Sequence, residues 1–260
     1  MVRLLFVNGC VDRGRSRTLR LAKELISRIE ADEVDEMVLE EADLAPLDTT
    51  RLKRRESLAL AGELEDPEFS VARRYASADI LVVATPFWEF GFNSMTKIFL
   101  ENVSQIGISF AYTDEGVPQG LTSIGRAYYV TTRGGFTDDA HDLGFMMFKE
   151  IANMHGIGDV RIISANALDI VGNDPEAIID DAISRIDRIL RGRRRKPGSG
   201  RPPAGGSCEA DGSDWWLHRD RQQRPRSGRI RLLEEGRTRQ ARIASGFSAA
   251  PARRRSPATL

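Results

Sequence analysis

Three short stretches of this 260-residue chain hold the residue types from which a binding site is built. The first, Asn8-Gly9-Cys10-Val11-Asp12-Arg13-Gly14-Arg15-Ser16-Arg17-Thr18, ends in hydroxyls where the following apolar spacing starts a helix. Helix-start N–H groups beside the hydroxyls of Ser16 and Thr18 make an anion site suited to a phosphate. On this stretch alone, Ser16 as a plain helix N-cap is an equal reading. The second, Thr85-Pro86-Phe87-Trp88-Glu89-Phe90-Gly91-Phe92, is rich in aromatic side chains. A bulky apolar loop at a ligand edge reads as one wall of a pocket for a flat ring, the competing reading being a satellite of the core. The third, Thr131-Thr132-Arg133-Gly134-Gly135, lets backbone N–H groups come close to a ligand, because glycine has no side chain to obstruct them. A phosphate grip, an aromatic wall and a glycine floor together suit flavin mononucleotide (FMN), which joins a terminal phosphate to a flat tricyclic ring.

Other chemistries are disfavoured. The chain has no GxxxxGK[ST] for a nucleotide-hydrolysing loop and no GxGxxG for a dinucleotide site. Cys10 and Cys208 are too few for a disulfide framework or a thiolate zinc site, and His141, His155 and His218 lack metal-ligand spacing. No metal ligand is therefore expected, and no catalytic side chain either, because a flavin would carry the hard chemistry itself. His155, beside Gly156, reads as a cation at a helix end. Cys10 reads as a small buried thiol.

The elements that must position these loops alternate. Leu4-Leu5-Phe6-Val7 is a continuous apolar run of strand length, and Ala22, Leu25, Ile26 and Ile29 follow at helical spacing. Met37-Val38-Leu39 predicts a second strand, Arg51 to Glu63 a surface loop or helix, and Glu68–Ser77 a helix. Ile80-Leu81-Val82-Val83-Ala84 is the most apolar strand, with helical spacing resuming at Met95, Ile98, Phe99 and Val103. Ala127–Val130 and Val160–Ile163 are the last two strands, separated by a helix over His141–His155 and followed by one opening at Pro175. Strands buried on both faces and alternating with helices imply a parallel sheet, since parallel connections need a crossover of helix length. Five such units predict an α/β fold, a flavodoxin-like doubly wound sheet in strand order 2-1-3-4-5, with ligands bound beyond the carboxyl ends of its strands.

In order along residues 1–190, NGCVDRGRSRTLRLAKEL, TPFWEFGFNSMTKIFLENVSQIGISFAYTDEGVPQG, YYVTTRGG and HGIGDVRIISANALDIVGND resemble the FMN-dependent NAD(P)H:quinone oxidoreductases and azoreductases. The resemblance implies a homodimer with one FMN per subunit and active sites lined at the subunit interface. It also implies reduction by NADH or NADPH in a ping-pong hydride relay, then two-electron delivery to a quinone or azo compound. Carried over by position, Cys10, Ser16, Arg17 and Thr18 would hold the phosphate. Phe87, Trp88, Glu89 and Phe90 would edge the ring, and Thr132, Arg133, Gly134 and Gly135 would close over its pyrimidine side. Trp88, Phe90 and Tyr112 would shape the acceptor pocket, with the Phe110–Gly120 hairpin projecting beside it. Two positions depart from the family: Glu89 stands where asparagine is common, and Asn166-Ala167 where Glu-Gly is. A flavodoxin-type electron carrier that does not oxidise NAD(P)H directly is the alternative reading.

Charge divides the chain. Residues 191–260 hold 18 of the 38 basic and 6 of the 38 acidic residues, so this tail carries +12 and residues 1–190 carry −12. Poor in core-forming residues, the tail is expected to be disordered. An Arg-rich arm for nucleic acid or lipid is the weaker reading, since aromatic interleaving is confined to Trp215 and Trp216. Out-of-frame reading of GC-rich coding sequence would give a similar mixture. No apolar run approaches the ~18 residues of a membrane span, and the start lacks a secretory cleavage pattern, so a cytoplasmic protein is expected.

Overall fold

A computed structural model describes residues 1–192; the tail expectation, apart from its first two residues, lies outside them. One sheet has the strands β1 (Arg3–Asn8), β2 (Glu33–Val38), β3 (Ile80–Ala84), and, numbered in chain order, β8 (Arg126–Thr132) and β9 (Val160–Ala165). Of these, β2 is an edge strand with charge at three of its six positions; it starts four residues before the predicted Met37–Leu39 run and ends one before its end. All pair in parallel in the order β2-β1-β3-β8-β9. The predicted doubly wound architecture is the observed one. Side chains along β1 alternate between two cores, as a strand period of two requires. Leu4 and Phe6 face one core with Leu21, Leu25, Tyr128 and Ile163. Leu5 and Val7 face the other with Leu81, Val83, Phe99 and Phe148. Truncating one of these fully buried leucines to alanine is expected to cost ~2–5 kcal/mol.

Helices cover both faces. On the first lie α1 (Arg17–Ile26), α6 (Pro175–Ser184) and α7 (Ile186–Arg191). On the second lie α3 (Ser70–Ala76), α4 (Ser94–Val103) and α5 (Leu143–Met154). The charged stretch left open between loop and helix is helix α2 (Thr49–Ala61), capped by Asp48 and ended by Gly62 at φ 76°. The helix predicted over Glu68–Ser77 begins as a 3₁₀ turn, Pro67–Phe69, before α3. Two small hairpins complete the elements: β4 (Phe87–Trp88) with β5 (Gly91–Phe92), and β6 (Phe110–Tyr112) with β7 (Pro118–Gly120). Among the described residues no helix is long and apolar enough to cross a membrane.

The register brings the three loops together. Asn8 of β1 pairs with Ala84 of β3, and Ala84 with Val130 of β8. Their carboxyl ends are therefore neighbours at the ~4.8 Å spacing of adjacent strands.

Candidate functional site

The first loop turns into α1 at Ser16, whose hydroxyl accepts from the Leu19 amide at 3.1 Å. Among the described residues the amides of Arg17 and Thr18 have no protein acceptor, which leaves two of the helix-start donors open to an anion. Thr18 Oγ1 lies 2.6 Å from Thr132 Oγ1, which ties the first loop to the end of β8. Arg15 is paired with Asp12, and Arg17 with Asp169 at 2.8 Å. Between them opens a cleft of about 200 Å³ floored by Ser16, Thr18 and Thr132 and walled by Pro86 and Trp88. Cys10 does not line it. The thiol is buried among core residues with Sγ 3.8 Å from the Ala84 carbonyl. Burial pushes it up to about 11. The expected side-chain phosphate contact from Cys10 is therefore replaced by a neutral core thiol.

The aromatic loop is a hairpin whose two turn residues, Glu89 (φ 48°) and Phe90 (φ 64°), both sit in the left-handed region. Positive φ at both positions is the requirement of a two-residue type I′ hairpin turn, which asparagine and glycine meet at little cost. Glutamate and phenylalanine adopt it only with strain, on the order of 1 kcal/mol or more each. The surroundings hold it: the Leu143 amide donates to the Phe90 carbonyl at 2.9 Å, and Phe87 meets Phe90 edge-on at 6.3 Å. Asn93 Nδ2 donates to the Gly9 carbonyl at 2.6 Å, linking the hairpin exit to the first loop. Trp88 and Phe90 remain 48% and 63% exposed, available to a ring. Glu89 is exposed and enters no ion pair among the described residues.

Past β8 the chain turns through Arg133, Gly134 and Gly135. Among the described residues the two glycine amides have no protein acceptor, while the Gly134 and Gly135 carbonyls accept from the Asp169 and Ala167 amides. A Cβ at Gly134 would sit 2.4 Å from Asp169 Oδ2, so a side chain there would push the Asp169 carboxylate aside; at Gly135 the space is open. Arg133 turns inward and offers no side-chain contact to a ligand. Its side chain is fully buried, paired with Asp142 at 2.7 Å and Asp139 at 2.8 Å, with Asn166 Oδ1 also at 2.8 Å. One guanidinium facing two carboxylates offers no net positive charge to a ligand. Asn166, one of the residues departing from the family pattern, has its partner here.

Tyr112 is not brought to Trp88 and Phe90. Its hairpin follows α4, which runs back from the ligand edge, so it lies where strands begin. Phe110 contacts Tyr112 and stacks on His155 at the carboxyl end of α5, and Ser123 N donates to the last carbonyl of α3. His155 is no helix-end cation either. It is fully buried, takes or gives a hydrogen bond with Tyr75 Oη at 3.0 Å, and burial lowers it to about 4.

A family model described as "Flavodoxin-like fold" matches residues 2–190. The chain belongs to that family. Among curated relatives, an FMN-dependent NADH:quinone oxidoreductase of Clostridium beijerinckii is 28% identical over 184 residues, covering 68% of this chain and 92% of the relative. One of Lachnoclostridium phytofermentans with the same name is 28% identical, covering 74% and 99%. The solved structure of an FMN-dependent NADH-azoreductase from Bacillus anthracis, in complex with FMN, superposes with a TM-score of 0.63 at 20% identity, covering 74% and 99%. At that identity the superposition speaks for the fold.

Proposed function

We propose that the chain is an FMN-dependent NADH:quinone oxidoreductase of the azoreductase type, with residues 1–190 as its flavin-binding domain. The observation that carries the reading is the meeting, at one sheet edge, of four unpartnered amides (Arg17, Thr18, Gly134, Gly135), two hydroxyls and two exposed aromatics. Donors without acceptors at a helix start suit a phosphate, and a glycine turn suits the edge of a flat polar ring. The names of the relatives agree with this chemistry. Bound FMN would supply two-electron hydride chemistry, with NADH or NADPH as donor and a quinone or azo compound as acceptor in ping-pong order. Ser16, Arg17 and Thr18 would hold its phosphate, Phe87, Trp88 and Phe90 its ring, and Thr132, Gly134 and Gly135 its pyrimidine side. The Gly134 and Gly135 amides would meet negative charge on that side with dipoles already aimed.

A cleft of about 200 Å³ is smaller than the ~300–1,000 Å³ usual for small-molecule sites. We read the missing wall as a second copy of the chain, so that the working form is a cytoplasmic homodimer. Leu143, Met146 and Met147 on α5, all exposed, form an apolar face beside the hairpin for that contact, and Tyr112 could then serve the partner's pocket. Purified protein should be yellow, absorbing near ~450 nm. Stopped-flow mixing with NADH should bleach that band. Absence of flavin uptake would overturn the reading, and uptake without direct reaction with NADH would favour an electron carrier.

A further inference from the structure

Arg133 heads the large side chains that are completely buried among the described residues, and its guanidinium joins four segments of chain. Nη2 and Nε donate to Asp142 Oδ2 at 2.7 and 3.2 Å. Nη1 donates to Asp139 Oδ1 and Asn166 Oδ1, both at 2.8 Å, and to the Thr137 carbonyl at 3.1 Å. Its Cζ lies 5.4 Å from the centre of the Phe87 ring, at the base of the aromatic hairpin. Asp142 uses its other oxygen to cap α5, accepting from the Phe145 amide at 2.8 Å. One residue on, Leu143 N holds the Phe90 carbonyl. A continuous path thus runs from the glycine turn through Arg133 and Asp142 to the start of α5 and the Glu89–Phe90 turn.

Resting on the flavin-site reading, we infer that the Arg133–Asp142 pair is the positioning device of that site, fixing the glycine turn and the aromatic turn at a set separation. Backbone bonds hold each turn by itself, through Asp169 and Ala167 for the glycine turn and Leu143 for the aromatic one, but the Arg133–Asp142 pair is what connects the two. Glu89 and Phe90 sit in backbone conformations that relax when unsupported, and the space where a side chain at Gly135 would stand is open. Stability is a poor motive for a buried ion pair, because apolar replacements of equal volume are often as stable. Geometry is the better one: a planar fork serves several acceptors in fixed directions, which a lysine ammonium cannot. Arg133 therefore acts through the turns and touches no ligand.

The test is hydrogen exchange by mass spectrometry on the full chain without flavin, joined to FMN titration. In R133K the peptides spanning Phe87–Phe92 and Ala167–Asp169, the latter carrying the amides bonded to the carbonyls of the glycine turn, should exchange at least ~10-fold faster while β1 and β3 keep wild-type rates, and FMN should bind at least ~10-fold more weakly. Unchanged exchange in both peptides, or acceleration spread evenly over the domain, overturns the inference. D142N decides if R133K does not fold. Asparagine can still cap α5 with its single carbonyl oxygen, but it then turns an amide donor toward the Arg133 donors, so the same two turns should loosen. Failure of the wild type to take FMN overturns the functional reading alone, since the exchange comparison needs no flavin.

Discussion

Gly144→Ala probes how tightly α5 and the aromatic hairpin must fit. A Cβ at Gly144 would stand 2.7 Å from Phe92 N, 2.8 Å from Tyr129 Oη and 2.9 Å from Gly91 Cα. Two of these atoms are hairpin backbone, and the third belongs to a packed core tyrosine. Ordinary contact begins at 3.4 Å, so the hairpin must retreat by about 0.5–0.7 Å. Overpacking of this kind costs ~1–3 kcal/mol, and the better helix propensity of alanine returns ~1 kcal/mol. The net loss of ~0–2 kcal/mol should lower Tm by no more than ~8 °C in a domain of this size. The site should suffer more, because a shift approaching 1 Å in a positioning element can cost ~100-fold in rate. Flavin titration and steady-state turnover with NADH and a soluble quinone should show at least a ~10-fold loss in FMN affinity and in kcat/KM. Gly158→Ala, in open space, is the control and should change neither. G144A with wild-type affinity and turnover, in a protein that still melts cooperatively, would refute the claim that hairpin placement governs the site.

Three further outcomes are expected. His155 stays neutral in the fold because burial lowers it from 6.5 to about 4, whereas the unfolded chain protonates it below 6.5. The unfolded state thus binds more protons between those values, and stability should fall as pH drops through that window, by at most ~3 kcal/mol from this group. Urea midpoints of H155Q should show a flatter slope there, and an identical slope would remove His155 as the cause. Cys10, raised to about 11 and buried, should resist an aromatic disulfide reagent at pH 8 in a C208S background until denaturant is added; rapid native labelling would contradict its burial. S16A should cost ~1 kcal/mol through the lost cap and weaken FMN more than riboflavin, while equal weakening would mean Ser16 does not meet the phosphate.

The sheet was readable because its inner strands contain apolar runs, Ile80–Ala84 above all, and because helical spacing recurs between them; the charged edge strand Glu33–Val38 showed only its Met37-Val38 end. Once strand order was fixed, the ligand edge followed from topology, which is why three loops distant in sequence could be grouped. Arg133 was misread because burial of a charge depends on partners; Asp139 and Asp142, six and nine residues on, were the available signal. Tyr112 was grouped with Trp88 and Phe90 through its likeness to a family hairpin, although its position in a helix-to-strand connection already assigns it to the far edge of its own parallel sheet. The left-handed turn carried no signal at all, since Glu-Phe is not a turn dipeptide.

The conformation at Glu89 and Phe90 sets a conflict between robustness and catalysis. A selection for heat resistance would be drawn first to this pair, since asparagine-glycine relieves the torsion at once. The same exchange deletes the Phe90 ring and softens the wall it belongs to. Thermal gain at this turn should therefore come with a blunter pocket.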